Sequence, residues 1–281
     1  MAEDANRSEI VAGKPAGSRR KFLYVGVILL VILVAAVLIS MQSDAANTNL
    51  VSYDSVAVPS ALVAQLNIPN NLSNSVGIGT AQYGEVLYKL QNKTETVSGG
   101  KPEILYMGAE FCPYCAAERW AMIIALSRFG KFSDLHFMTS SATDIPPSVP
   151  TFTFYNSTYT SQYITFAEVE ETTNKYATLQ QPTASEAALG NDYDPKGTIP
   201  FILFANKSVV IGATYDPQGI ITGENWSTII KQLYNSSSVQ AESIIGSANL
   251  LTEQICSADN NTPASVCTQG YVTQIRKTVG S

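Results

Sequence analysis

Eighteen consecutive residues, Phe22 to Ile39 (FLYVGVILLVILVAAVLI), carry neither a charge nor a proline. At about 1.5 Å rise per residue, a helix of this length nearly crosses a hydrocarbon layer about 30 Å thick. The run is longer than the apolar part of a cleavable signal, and 21 mostly polar residues precede it, so it reads as an uncleaved anchor. The alternative is a cleavable signal, for which Ser43-Asp44-Ala45 loosely resembles a cleavage site. Both readings send the chain beyond residue 40 across the membrane, while Arg19, Arg20 and Lys21 stay on the cytoplasmic side. The expected localisation is a single-pass membrane protein with a cytoplasmic N-terminus, an extracytoplasmic C-terminal domain, and the lipid bilayer as partner of Phe22–Ile39.

Charge and composition agree with that topology. The first 21 residues hold five Lys/Arg and three acids, which leaves 12 basic and 20 acidic residues beyond them. An acidic surface of this kind repels phosphate backbones and argues against nucleic acid as a partner. Asn-x-Ser/Thr acceptors begin at Asn6, Asn71, Asn92, Asn156, Asn206, Asn225, Asn235 and Asn260; all but Asn6 follow the span, as a glycoprotein surface outside the cell would require. Four cysteines, an even number, fit an oxidising compartment.

Along the chain, residues 1–21 read as a cytoplasmic tail, 22–40 as the anchor, 41–82 as a stalk or lead-in with short structure near Ser60–Leu66, and 83–281 as the folded domain. Within that domain the pattern predicts strands over 85–91 and 103–111 and a helix over 116–129 with Gly130 as its cap. A strand over 135–140 then completes a βαβ unit with a parallel pair. Further strands are expected at 150–156 and 162–170, a polar helix at 173–189, a hairpin over 199–215 turning at Asn206-Lys207, and helices at 223–234 and 239–256. The fold class is α/β.

Cys112-Pro113-Tyr114-Cys115 falls where strand gives way to helix. Pro113 suits the first helical position. The unpaired N–H groups and dipole of a helix start favour a thiolate, which points to a Cys112 pKa below that of a free thiol. Cys115, one turn on, faces the same way but deeper, placed to resolve a mixed disulfide formed on Cys112. A metal site would need Cys256, Cys267 or the single histidine, His136. The two cysteines are too far apart for the usual zinc spacing, and His136 reads as a packed strand residue.

At residues 197–201 stands Gly-Thr-Ile-Pro-Phe. A strand, C-x-x-C at a helix start and a proline opening a hairpin together resemble the thioredoxin superfamily. The resemblance implies a thioredoxin-like fold in which Pro200 is cis, packs against the redox pair, and leaves Ile199 to pair with substrate backbone. Residues 140–195 then become an insertion between the C-x-x-C helix and the proline hairpin. GAEFCPYCAAERWAMIIALSRFG, TPASVC near the C-terminus and the single N-terminal span are similar to a largely archaeal, membrane-anchored family, domain of unknown function 929, from about Gly84 to Thr268. The Pro-Tyr dipeptide also occurs in glutaredoxins, but nothing else here matches a glutathione site.

The expected activity is that of an extracytoplasmic protein thiol–disulfide oxidoreductase, an enzyme without a cofactor, whose direction (oxidase, isomerase or reductase) the sequence leaves open. Cys112 and Cys115 are catalytic. Pro113, Tyr114, Ile199 and Pro200 contact substrate, and Glu110 or Glu118 is the candidate proton acceptor for Cys115. Trp120 reads as core. Cys256 and Cys267 read as a structural disulfide, with a redox relay to Cys112 and Cys115 as the alternative. Expected partners are cysteine-containing secreted or membrane proteins, with or without a membrane redox partner. The rival functions are a catalytically silent surface binding or assembly module and a four-cysteine zinc receptor.

Overall fold

The computed structural model describes residues 54–280. The expected cytoplasmic tail and the anchor at Phe22–Ile39 lie outside them. Among the described residues no helix is long and apolar enough to cross a membrane.

The described part begins with two short helices, α1 (Ser60–Gln65) and α2 (Asn70–Val76), then strands β1 (Leu87–Lys89), β2 (Val97–Ser98) and β3 (Lys101–Gly108). Helix α3 (Pro113–Ser127) follows, then β4 (Gly130–Ser133), β5 (His136–Thr139), β6 (Pro150–Thr153), β7 (Thr158–Ser161) and β8 (Thr165–Glu170). The last part holds α4 (Ala184–Tyr193), the hairpin β9 (Phe201–Phe204) and β10 (Ser208–Ile211), and helices α5 (Trp226–Leu233), α6 (Gly246–Ala258), α7 (Ala264–Cys267) and α8 (Gly270–Val279).

β3 is the axis of a mixed sheet. One edge pairs antiparallel with β9, which continues to β10 and β1; the other pairs parallel with β8, after a short antiparallel start on β2. Sandwiched strands of this kind read as continuous apolar runs, as Ile104-Leu105-Tyr106-Met107 does. Ile104 and Tyr106 join Ile202 and Phe204 in the large core, while Leu105 and Met107 join Phe201, Leu203 and Val169 in a smaller one on the opposite face. Helix α3, buried from Cys115 to Leu126, packs on the first face with α6 behind it. Burial around its whole circumference, with Glu118 and Arg119 among the buried side chains, makes it a central helix, not an amphipathic cover.

Several expectations are corrected. The parallel partner of β3 is β8, not the strand at 135–140. Both edges of β5 are already used: β6 pairs with one, and the other exchanges backbone hydrogen bonds with residues 55–58 (Ser55 N–H to Phe137 O, Val58 N–H to Leu135 O). The crossover therefore runs from α3 to β8, and residues 140–195 are not a separate insertion, because they contain a strand of the main sheet. Gly130 opens β4 instead of capping α3, whose C-cap is Arg128. The helix expected at 173–189 begins only at Ala184, where Thr183 and Glu186 form a reciprocal capping box after Pro182; residues 172–178 make a small β-turn bridge instead. Residues 57–82 are no free stalk either. Leu66 and Ile68 are buried, and at the crossing of Gly79 with Gly246 a Cβ on the latter would lie 2.4 Å from the Ile78 carbonyl oxygen. Only hydrogen atoms fit there.

Candidate active site

The C-x-x-C motif lies at the C-terminal end of β3, on the first turn of α3. Cys112 is the N-cap: its Sγ accepts the Cys115 N–H at 3.2 Å, and Pro113 occupies the first helical position, where no N–H is needed. Cys112 is 6% exposed and Cys115 fully buried, while Tyr114 between them stands out at 42%. Both cysteines are free thiols.

The two sulfurs are electrostatically unlike. The hydrogen bond from the Cys115 thiol pulls the Cys112 pKa down; burial opposes this, and the Cys115 N–H and the Arg119 charge reinforce it. Burial pushes Cys115 well up, and its role as donor to Cys112 adds to that. One thiol is thus ready to ionise and the other holds its proton, the division of labour that nucleophilic attack and later resolution need.

The continued β3–β9 register, in which Met107 faces Phe201, sets Gly108 and Ala109 opposite Pro200 and Ile199. The Ile199–Pro200 bond is cis. Pro200 is buried and Ile199 partly exposed. The turn before them is fastened by Asp194, whose carboxylate accepts the N–H groups of Thr198 and Lys196. Sequence-distant Ile199-Pro200 and Cys112 therefore converge on one end of the sheet.

Beneath the thiols lies a group the sequence analysis missed. Arg119, four residues after Cys115 on the same helix, is fully buried and makes a two-pronged ion pair with Glu170: Nε to Oε1 at 2.8 Å and Nη2 to Oε2 at 2.6 Å. Nη2 also donates to the Ala109 carbonyl at 2.8 Å, tying the pair to the chain just before Cys112. The guanidinium stands 5.9 Å from the centre of the Tyr106 ring. Gly108 permits this, since a Cβ there would lie 2.2 Å from the Tyr106 hydroxyl. The i, i+4 spacing of Cys115 and Arg119 was the available signal.

The two proposed proton acceptors occupy different places. Glu110 is buried, receives the Thr153 hydroxyl at 2.7 Å, and shares the field of Arg119 and Glu170; burial raises its pKa and the Glu170 charge adds to that, against the Thr153 hydrogen bond and the Arg119 charge. Glu118 is turned to the hairpin side, where its carboxylate accepts the Thr214 N–H at 2.8 Å and the Thr214 hydroxyl at 2.9 Å. Burial pushes it up to about 7. Glu118 thus ties α3 to the chain after β10, and Glu110 is the candidate that lies in the field of the Arg119 cluster. Trp120 is core, its Nε1–H donating to the Pro150 carbonyl.

Cys256 and Cys267 are joined in a disulfide between α6 and α7. That bond removes both from any four-sulfur metal site with Cys112 and Cys115. His136 lies on β5.

Residues 87–186 match the family model of a domain of unknown function, DUF929. This is the family that the cysteine motif resembles. The matched segment contains β3, the C-x-x-C turn, Arg119 and Glu170, and ends before Ile199-Pro200. No curated protein and no solved structure matches the chain.

Proposed function

We propose that this protein is a membrane-anchored, extracytoplasmic thiol–disulfide oxidoreductase with a thioredoxin-like domain. The observation that carries the reading is the unequal pair at the start of α3: a near-surface Cys112 with a lowered pKa and a dry Cys115 one turn deeper. The C-x-x-C sits within a β3–α3–β8 parallel unit, a setting that favours redox use over metal binding, and the proline-led hairpin lies beside β3. In the exchange step, the Cys112 thiolate attacks a substrate disulfide, forming a Cys112–substrate bond and releasing one substrate thiolate. Cys115 then loses its proton and attacks the Cys112 sulfur. The products are a Cys112–Cys115 disulfide and a substrate dithiol; the reverse sequence introduces a disulfide.

The extracytoplasmic setting is supported by the apolar run Phe22–Ile39, the Cys256–Cys267 disulfide, and the acceptors Asn71, Asn92, Asn156, Asn225, Asn235 and Asn260, all exposed. Tyr114, Tyr176 and Ile145, 42%, 50% and 79% exposed, offer polypeptide contact around the thiols. The Phe111 ring packs tilted against Tyr176 at 4.8 Å, and the Phe111 carbonyl accepts the Ser141 N–H, which ties the 140–149 loop to the rim. The partners are accordingly cysteine-containing secreted or membrane proteins.

Cys112→Ser is expected to abolish reduction of a protein disulfide by the pre-reduced protein, and Cys115→Ser to accumulate a mixed disulfide on Cys112 that mass spectrometry can read. Undiminished turnover in Cys112→Ser would sink the reading and favour a binding module.

A further inference from the structure

The parallel register of β8 on β3 sends its side chains alternately to the two faces of the sheet. Phe166, Glu168 and Glu170 share the face of Ile104 and Tyr106, under α3. Ala167 and Val169 share the other face with Leu105 and Met107, and Glu171, next in that alternation, follows them there. The result is a carboxylate on the side of the sheet that α4 covers, away from Arg119.

A cavity of about 310 Å³ opens on that side. It begins at the redox end of the sheet, because Ala109, Phe111 and Ile199 line it, and runs back between the sheet and α4. Its walls include Met107, Pro182 and Phe201, and Glu171 stands in it. Gly190 keeps α4 close: a Cβ there would lie 2.8 Å from the end of Met107. Glu171 uses its backbone N–H and carbonyl in the chain's own hydrogen bonds, to Gly108 O and from Leu179 N–H. Its carboxylate has no hydrogen bond or ion pair among the described residues, whereas the neighbouring Asp194 is spent on Thr198 and Lys196. Partial burial alone holds Glu171 above its usual pKa, as expected of an acid lacking a cation.

We propose that this cavity is a specificity pocket for a lysine or arginine side chain adjacent to the reacting cysteine of an extended substrate polypeptide. The proposal rests on the exchange reading above and names the substrate class for that same site. A long basic side chain has an aliphatic stem that suits the Met107, Pro182 and Phe201 walls, and a charge that suits Glu171. Phe111 at the mouth offers a ring face to a passing cation. A volume of about 310 Å³ is that of a small ligand site and admits one side chain with its solvent. The net acidity of the chain beyond the apolar run favours encounter with basic polypeptides.

The test uses the full chain in detergent, pre-reduced, and disulfide-linked peptide pairs that differ only in the residue beside the cysteine: lysine, leucine or glutamate. Each protein molecule supplies two electrons by closing Cys112–Cys115, so a single turnover needs no added reductant. A small uncharged disulfide, hydroxyethyl disulfide, reports the exchange chemistry of the same wild-type preparation. The lysine peptide is expected to be opened about tenfold faster than the glutamate peptide, with leucine between them. Glu171→Gln should lower the lysine rate to the leucine rate, Glu171→Lys should reverse the order, and added salt should compress it. Equal rates for the three peptides, or a lysine preference that survives both variants, would overturn the pocket while leaving exchange intact. Failure to open even hydroxyethyl disulfide would instead overturn the exchange reading, and the pocket with it.

Discussion

At the scale of single residues, burial of Cys115 and its hydrogen bond to Cys112 make the two cysteines unequal, and the charge of Arg119, held by Glu170, favours a thiolate above it. A buried guanidinium does not stabilise a fold cheaply, and a hydrophobic pair of the same shape often serves as well. Its position under both thiols explains its presence better than stability does. Replacing Arg119 by Met should raise the Cys112 pKa, so that iodoacetamide alkylation of Cys112 shifts to higher pH. It should also cost about 3–5 kcal/mol, because Glu170 is left charged and alone. The double variant Arg119→Met with Glu170→Leu is the discriminating case: stability should largely return, while the thiol stays at its higher pKa. Recovery of both together would mean that Arg119 acts only through packing. Cys112 and Cys115 were legible in the sequence because their chemistry is set by local spacing. Arg119 was not, since an arginine on a helix reads as solvated until its partner is known, and Glu170 lies 51 positions away.

At the scale of elements, strands were easier to find than their partners. The 135–140 segment is a strand, but alternation of apolar residues carries no record of which neighbour fills each edge, and the Ser55–Val58 segment that occupies one edge has no strand signature of its own. The hairpin at Asn206-Lys207 was legible because a short turn leaves antiparallel pairing as the immediate option. The α6–α7 connection shows what covalent closure adds. Its disulfide spans 11 positions, and loop-closure entropy gives such a link about 2–3 kcal/mol. Cys256→Ser with Cys267→Ser should lower the melting temperature measurably, whereas closing or opening the Cys112–Cys115 pair should move it much less. Equal shifts for the two pairs would contradict the separate tasks assigned to them.

At the scale of the whole molecule, the burial of carboxyl groups sets the response to pH. Glu118, fully buried, and Glu168, mostly buried, are each raised by burial from an ordinary value near 4.5 to about 7. Between those limits the folded chain holds protons that the unfolded chain has released, so the contribution of these two groups to stability is greatest below about pH 4.5 and falls as pH rises towards 7. For Glu118 alone the loss is on the order of 3 kcal/mol, at about 1.4 kcal/mol per pH unit. Thermal melts across that window should show the decline, and Glu118→Gln, which keeps an acceptor for the Thr214 N–H, should lessen it, leaving the share that belongs to Glu168. A slope unchanged in Glu118→Gln would show that the carboxyl is solvated.

Helix α3 begins at the reactive thiols and runs 15 residues, about 22 Å, to Arg128. Arg128 is hydrogen-bonded to Ala248, Asn249 and Thr252 on α6, within two turns of Cys256. The Cys112–Cys115 pair thus stands at one end of α3, and the helix that carries Cys256 is fastened to the other end. The helix works as a spacer of fixed length. On the proposed reading, one end is oxidised and reduced while the disulfide fastened towards the other end stays closed.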